Sequence, residues 1–494
     1  MAQNLVESYK NRLAISESVH QKSHNGAKMS AQKKLMIASV LNNTSKFMTE
    51  AFENSGATQR ADMGDYKRFC LNIATIALPN LILPELMLVS PMSSLTGYIT
   101  YLRYTAGTKK GGVEVGDTFN SVYRLGQMTP ERMAYSSSFI SETHKVTADE
   151  AANLKFSLDW FPVKGISAIK DSSNNVVDPT KYELNAAEGI VDFTKGGSGY
   201  ILENQEFKVL YEYDNEIIPQ TVRPTSLPTL TANMEMVNLH AHARRIAVYY
   251  SQIAAFQAKN DYGYDLGQQL AAQAQGELAY EIDSEGVMML YNGAEEDPSL
   301  TIKAYSGDKA ISRSQYYEMF TEVIARAKAI IYQRTQKFAP NYMVVSADVL
   351  TVMPYLKGWT AAPASVVNGP YFAGTVDGVR VYVSPAMKAG EFFFGVNGSD
   401  LQTSAAVYAP YMAIVPTQLL GFADGTMSQG FSTMYDMKLL STYNVVKDVE
   451  GKIIKREDAD NGEFSWLLVK GKMVTPTSDA IGFDVHLTND QFNA

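Results

Sequence analysis

The stretch VNLHAHARRIAVYYSQIAAFQAKNDYGYDLGQQLAAQAQGELAYEIDSEGV, residues 237–287, decides how this chain is read. Its first part alternates, with Val237, Leu239, Ala241 and Ala243 on one side, and that period of two predicts a strand over 237–249. SQIAAFQAKN then predicts a short helix, and a turn follows at 261–265. From Asp265, a candidate N-cap, Leu266, Leu270, Ala274, Leu278 and Ile282 recur at four-residue steps. The spacing keeps one apolar stripe on one face and predicts a single long helix reaching about Tyr291. A helix of that length serves as a structural strut.

Toward the C-terminus, residues 314–337 repeat the helical signal, with Tyr317, Phe320, Ile324, Ala327 and Ile331 along one face. Beyond Asn341 the runs YMVVS, GVRVYVS, EFFFGV, AVYAPYMAIV and STMYDMKLLSTYNVV alternate with short connectors and read as strands. Toward the N-terminus, residues 138–220 hold LKFSLDW, GISAIK, YELNAAEGIVDF and EFKVLYEYD between Asn, Gly and Asp clusters. Short strands so spaced predict a small β-sandwich inserted in the main fold, with VRPTSLPTL (Pro224, Pro228) as the return linker. The first 60 or so residues are polar: helical spacing over 33–52 and the loop-like NSGATQRADMGD set them apart as an arm, before the composition shifts at Arg68. The fold class is α+β.

A chain of 494 residues is long enough for several domains with real cores. With 46% hydrophobic and 19% charged residues it has the balance of a folded protein, not of a disordered tail. Net charge −9 argues against gripping nucleic acid through a basic surface, since phosphate binding draws on clustered Lys and Arg. The one cysteine, Cys70, excludes an internal disulfide and a Cys-based zinc site, and points to folding in a reducing cytoplasm. The polar N-terminus lacks the order of a signal peptide. The most apolar run, 73–89, is broken by Pro79, Asn80, Pro84 and Glu85, so no membrane span is expected.

A search for chemistry returns weak signals. His240 and His242 alternate on a strand and would share a side, as a metal pair must, but Arg244 falls on that side and its fixed charge disfavours a cation. Glu277, Glu281 and Glu285 form a ridge at four-residue spacing with no His partner, and read as a solvated or subunit-facing helix side. KKGGVEVGD and TKGGSGY lack the strand, Lys-Ser/Thr ending and helix of a phosphate cradle and read as turns. No catalytic, metal or cofactor site is expected. The chain is rich in Tyr, 29 against 3 Trp, in runs such as GYITYLRY, VLYEYD and AVYAPY, a residue favoured at protein interfaces.

Five collinear stretches carry a resemblance: LPNLILPELMLVSPMSSLTGYITYLRY (78–104), AHARRIAVYYSQIAAFQAKNDYGYDLGQQLAAQAQGELAYEIDSEGV (241–287), FAPNYMVVSADVLTVMPYL (338–356), GPYFAGTVDGVRVYVSPAM (369–387) and AVYAPYMAIVPTQLLG (406–421). Their order resembles the major capsid proteins of tailed bacteriophages with the Hong Kong 97-type fold, most closely those of large contractile-tailed phages. The resemblance implies an N-terminal arm at 1–67 and the opening of the peripheral domain with an extended loop at 68–137, and the β-rich segment read from its strand spacing, 138–222, departs from the family pattern as an inserted domain. The resemblance further implies a peripheral domain with its spine helix at 223–300, an axial domain at 301–450 and a C-terminal segment at 451–494.

The implied role is non-enzymatic. Copies tile as hexamers and pentamers into an icosahedral shell that encloses DNA without sequence-specific binding, assembled in the host bacterial cytoplasm with scaffold, portal and decoration or vertex proteins. Related proteins lose the arm to a prohead protease that cuts after Glu, and KFMTEAFENSG resembles that junction, with Glu53 or Glu50 as the candidate cleavage site. The Gly-rich stretches at 109–116 and 358–374 are the expected hinges. Two other readings stand beside this one. An encapsulin shell shares the fold but is usually shorter, without arm or insert. An enzyme or carbohydrate-binding protein would use the β-rich insert as its binding module and needs a pocket of polar or acidic residues.

Overall fold

The computed structural model describes residues 2–23, 28–55, 71, 75, 78–116, 135–196, 201–215, 227–261, 263, 266–302, 312–335, 337–362, 369–417, 420–447, 453–458 and 462–473. It is α+β, as expected, and divides into two compact units: Met1–Ile99 with Met236–Ala494, and Thr100–Glu235.

The first unit is built on two larger sheets. One runs Leu88–Val89, Ala406–Pro416, Thr426–Leu439, His242–Ser251, with Leu420–Gly421 pairing Thr426–Leu439. The long helix Leu266–Asn292 covers it: Ala274 and Leu278 pack with Ile414, Phe431, Ile246 and Val248. The stripe read from sequence is thus the buried one from Ala274 to Ile282, while Asp265 lies outside the described residues. The other sheet has the order Glu295–Glu296, Leu468–Lys472, Glu391–Gly395, Tyr342–Val345, Val379–Val383, Tyr371–Val376, Thr360–Ala361. YMVV and EFFFG are buried at every position, which is why they read as continuous apolar runs instead of alternating ones. Helix Phe320–Thr335 packs on this sheet through Phe320, whose ring lies 5.1 Å from that of Phe392.

Two element boundaries differ from the sequence reading. The strand expected over 237–249 is two strands, Leu230–His240 and His242–Ser251. The first pairs with Thr96–Ala106 and the second with Thr426–Leu439. At the exchange, His240 N–H donates to the Asp436 carboxylate at 2.7 Å and Ala241 N–H to the Leu95 carbonyl at 2.8 Å, so a change of partner breaks a pattern that alternation alone carries straight through. The second predicted helix is also two, Arg313–Glu318 and Phe320–Thr335, parted at Met319. Ser312 and Gln315 form a capping box at its start.

In the second unit, two three-stranded antiparallel sheets share one core. Phe139–Lys145, Glu206–Tyr213 and Val163–Lys170 form one, and Lys155–Ser157, Ile190–Asp192 and Glu183–Asn185 the other. Phe156, Phe193 and Phe207 meet at its centre with ring separations of 5.7–5.9 Å, joined by Trp160, Tyr211 and Tyr213. Alternation in EFKVLYEY, buried at every second residue, aims Phe207, Val209, Tyr211 and Tyr213 into that core.

Candidate assembly surfaces

In the first unit one sheet end gathers large apolar side chains in solvent. Ser428 is flanked in register by Tyr249 on one side and Leu420 on the other, and residues directly opposite one another share a face. Tyr249 is 67% exposed and Leu420 58%. Ile246 and Val248 turn toward the long helix, so odd-numbered Tyr249 necessarily turns away from it. Helix Gln252–Asp261 continues the patch with Ile253 and Phe256, 71% and 65% exposed; its start is tied to the neighbouring turn by Gln252 N–H donating to the Gly425 carbonyl at 2.9 Å. Phe422, also exposed, sits in that turn, its N–H donating to the Thr426 carbonyl. Five such side chains at one end are more than a monomer scatters at random, and they suit contact with another protein surface.

The second unit carries the outer part of a two-stranded ribbon formed by Thr96–Ala106 and Leu230–His240. Leu102, Tyr104, Leu230 and Met234 are exposed on it. A lone two-stranded ribbon is marginal in water and presents open edges. Its base is clamped: Gly107 N–H donates to the Thr229 carbonyl, and the Tyr135 hydroxyl lies 3.0 Å from the carbonyls of Thr108 and Thr229. The expected hinge at 109–116 begins here, and Lys110 is buried, donating to the Tyr135 carbonyl at 2.7 Å and the Ser137 carbonyl at 2.5 Å.

The residues singled out for chemistry are accounted for locally. His240 and His242 are exposed, edge to face at 5.0 Å. Arg244 reaches the long helix instead, 2.6 Å from Glu285 and 3.4 Å from Glu281, with its guanidinium over the Tyr435 ring. The glutamate ridge therefore holds a strand to a helix through two of its members. Among the described residues no group of three or more His, Cys, Asp or Glu could hold a metal ion, and no helix is long and apolar enough to cross a membrane. Glu50 and Glu53 fall in the closing turns of helix Ala31–Ser55, and their side chains lie outside the described residues. Sequence reasoning missed Ile253, Phe256, Leu420 and Phe422. The available signal was that SQIAAFQAKN is short and carries two large apolar residues on a face the sheet does not need.

Among solved structures, the chain is similar to the mature capsid of bacteriophage PhiM1, at 11% identity and TM-score 0.32, over 53% of this chain and 80% of that one. The capsid of Myoviridae phage XM1 is similar at 10% identity and TM-score 0.30, over 52% and 81%. The SrpI encapsulin complex from Synechococcus elongatus PCC 7942 is similar at 13% identity and TM-score 0.30, over 50% and 77%. No curated protein matches. The family model described as Major capsid protein Gp23 matches residues 63–465, a span that takes in all five collinear stretches, and this chain belongs to that family.

Proposed function

We propose that the chain builds its shell as hexamers and pentamers, through the exposed sheet end around Tyr249 and Phe256 and the ribbon bearing Leu102 and Met234. The family match over residues 63–465 carries the shell-forming role. Obligate assemblies commonly bury more than about 2,000 Å² per interface, so a modest patch on each subunit becomes a large energy once repeated over a closed surface. Scaffold, portal and decoration or vertex proteins are the further partners, and assembly takes place in the host cytoplasm. The acidic balance, net −9, suits an inner wall that encloses DNA without sequence-specific binding.

The domain assignment goes with this reading: arm 1–67, peripheral opening and extended loop 68–137, insert 138–222, peripheral domain with spine helix 223–300, axial domain 301–450, C-terminal segment 451–494. The sheet that includes Tyr342–Val345 and the sheet under helix Leu266–Asn292 would be the rigid wedges that meet around six-fold and five-fold axes. Glu53 or Glu50 remains the proposed cleavage site, read from KFMTEAFENSG.

Electron microscopy of the protein, expressed alone and with its genomic neighbours, tests the assembly. Closed shells, tubes or hexamer sheets are expected, and dispersed monomer under both conditions would overturn the reading. Phe256→Asp should cut the assembled fraction by at least about tenfold, the effect of roughly 1.4 kcal/mol per contact, without altering the circular dichroism of the subunit.

A further inference from the structure

The apolar patch of the first unit stands out from its surface, and helix Gln252–Asp261 gives it a defined shape. Ala258 is buried, while Ile253 and Phe256, 71% and 65% exposed, occupy the opposite face. Lys259 follows Phe256 by three residues, the spacing of helix neighbours, and so flanks the apolar pair. It is exposed and makes no ion pair among the described residues. The helix thus presents two large apolar side chains with an ammonium beside them.

A cleft of the complementary character lies at the far end of the long helix. It holds about 710 Å³, walled by Met288, Met289, Leu439 and Phe464, all half-buried. Helix Leu266–Asn292 ends at Gly293, where a Cβ would run into Leu439, so the absence of a side chain there lets Leu439 lie against the helix end. Methionine suits such a wall, because its unbranched, polarizable side chain adapts to what it receives. Two carboxylates line the cleft. Glu285 is engaged, 2.6 Å from Arg244 and accepting from the Tyr435 hydroxyl at 2.5 Å. Glu463 is exposed and makes no ion pair among the described residues. Lys470 is tied to the helix instead, its ammonium donating to the Tyr291 carbonyl at 3.3 Å and lying 4.6 Å from that ring.

One copy cannot fill its own cleft. Helix Gln252–Asp261 precedes the long helix and the cleft lies at its last turns, so at 1.5 Å per residue roughly 30 Å of helix separates them. A ring of five or six identical copies needs a heterologous contact, in which each copy offers two different surfaces that fit one another; a patch that meets only its own kind closes at two. We propose that helix Gln252–Asp261 of one copy docks in the cleft at Met288 and Met289 of the next, seating Ile253 and Phe256 on its apolar walls and pairing Lys259 with Glu463. The contact rests on the shell-forming reading and specifies which surface the patch meets. The cleft is within the ~300–1,000 Å³ of ordinary ligand-sized pockets, room enough for two large side chains. An apolar helix face laid in a groove supplies the affinity, and opposite charges beside it fix the register.

Charge reversal in the full chain, expressed with its genomic neighbours and with shells counted by electron microscopy, tests the contact. Lys259→Glu and Glu463→Lys, both at exposed positions, should each lower the assembled fraction by about tenfold or more and leave the circular dichroism of the subunit unchanged. Both changes in one chain restore opposite charges and should bring assembly back to within about threefold of the unsubstituted chain. Co-expression of the two single variants should rescue assembly as well, because each then carries the surface that fits the other; damage inside one subunit is not repaired in that way. Assembly of Glu463→Lys equal to that of the unsubstituted chain would overturn the contact and leave the patch to meet its own kind. Two defective single variants that neither the double chain nor co-expression rescues would overturn it too, and would give the cleft to a different partner. A dispersed unsubstituted chain would overturn the shell reading, and this contact with it.

Discussion

Arg334 and Glu295 show what single residues contribute where sequence gives little warning. The Arg334 guanidinium lies 2.9 Å from Glu295 and 3.8 Å from Asp297, with Arg334 and Glu295 almost wholly buried. Glu295 also accepts from the Tyr443 hydroxyl at 2.5 Å, so one carboxylate ties the helix Phe320–Thr335 to the sheet edge and to the strand Thr442–Lys447. Removing one partner of a buried pair strands the other charge and costs about 3–5 kcal/mol, whereas replacing both with apolar groups is often near neutral. Glu295→Gln should therefore lower the unfolding free energy by about 3 kcal/mol, and Arg334→Met with Glu295→Leu by much less, as measured by chemical denaturation of the unassembled subunit. This pair was not legible beforehand. Arg334 stands in the last turn of its helix, where a basic residue is ordinary, and only tertiary packing decides what closes over it.

At the scale of elements, the long helix was legible from Leu266 to Ile282 because its stripe has one period and one partner sheet along its length. The strand before it was not, since its exchange of partners at Ala241 leaves the alternation of VNLHAHARR untouched. The helix also hides a distinction that its sequence does not mark: it holds Gly276 and Gly286, both poor helix formers by residue type. A Cβ at Gly276 would meet nothing within 4 Å, whereas at Gly286 it would run into the buried side chain of Leu83. Gly286 is thus where the short helix Leu83–Leu86 is allowed close to the long one. The two substitutions should have opposite signs. Gly276→Ala should stabilise by roughly 0.5–1 kcal/mol through helix propensity, and Gly286→Ala should destabilise by about 1–3 kcal/mol through overpacking. Paired thermal melts of the two variants, compared with the unsubstituted chain, decide the matter; the same sign in both would mean that Leu83 yields.

Over the whole molecule, the strand spacing of residues 138–220 marks a β-rich segment, and the structure shows why a host chain could carry such a segment. Its first and last strands are neighbours: Phe139 pairs with Glu212, and Tyr213 N–H donates to the Ser138 carbonyl at 3.1 Å. The chain therefore enters and leaves about one strand spacing apart, near 5 Å, and a host chain can carry the insert without stretching. Its core is its own, with Phe156, Trp160, Phe193, Phe207, Val209 and Tyr211 all buried on one another. The polar cost inside that core is met locally. Glu142 is pushed up by burial, yet accepts from the Tyr211 hydroxyl at 2.7 Å and from Asp159 N–H, and both partners lie within the segment. A segment with adjacent ends, a private core and internal polar partners should fold alone. Residues 138–214 expressed in isolation should unfold in one cooperative step, with Trp160 fluorescence and near-ultraviolet dichroism changing together. Cooperativity is expected despite the loss of the hydrogen bond from Trp160 Nε1 to the Lys109 carbonyl, a cost of about 1 kcal/mol. If the isolated segment shows secondary structure without fixed aromatic packing, its core depends on the ribbon base around Lys109 and Lys110, and the insert's boundary belongs outside 138 and 214.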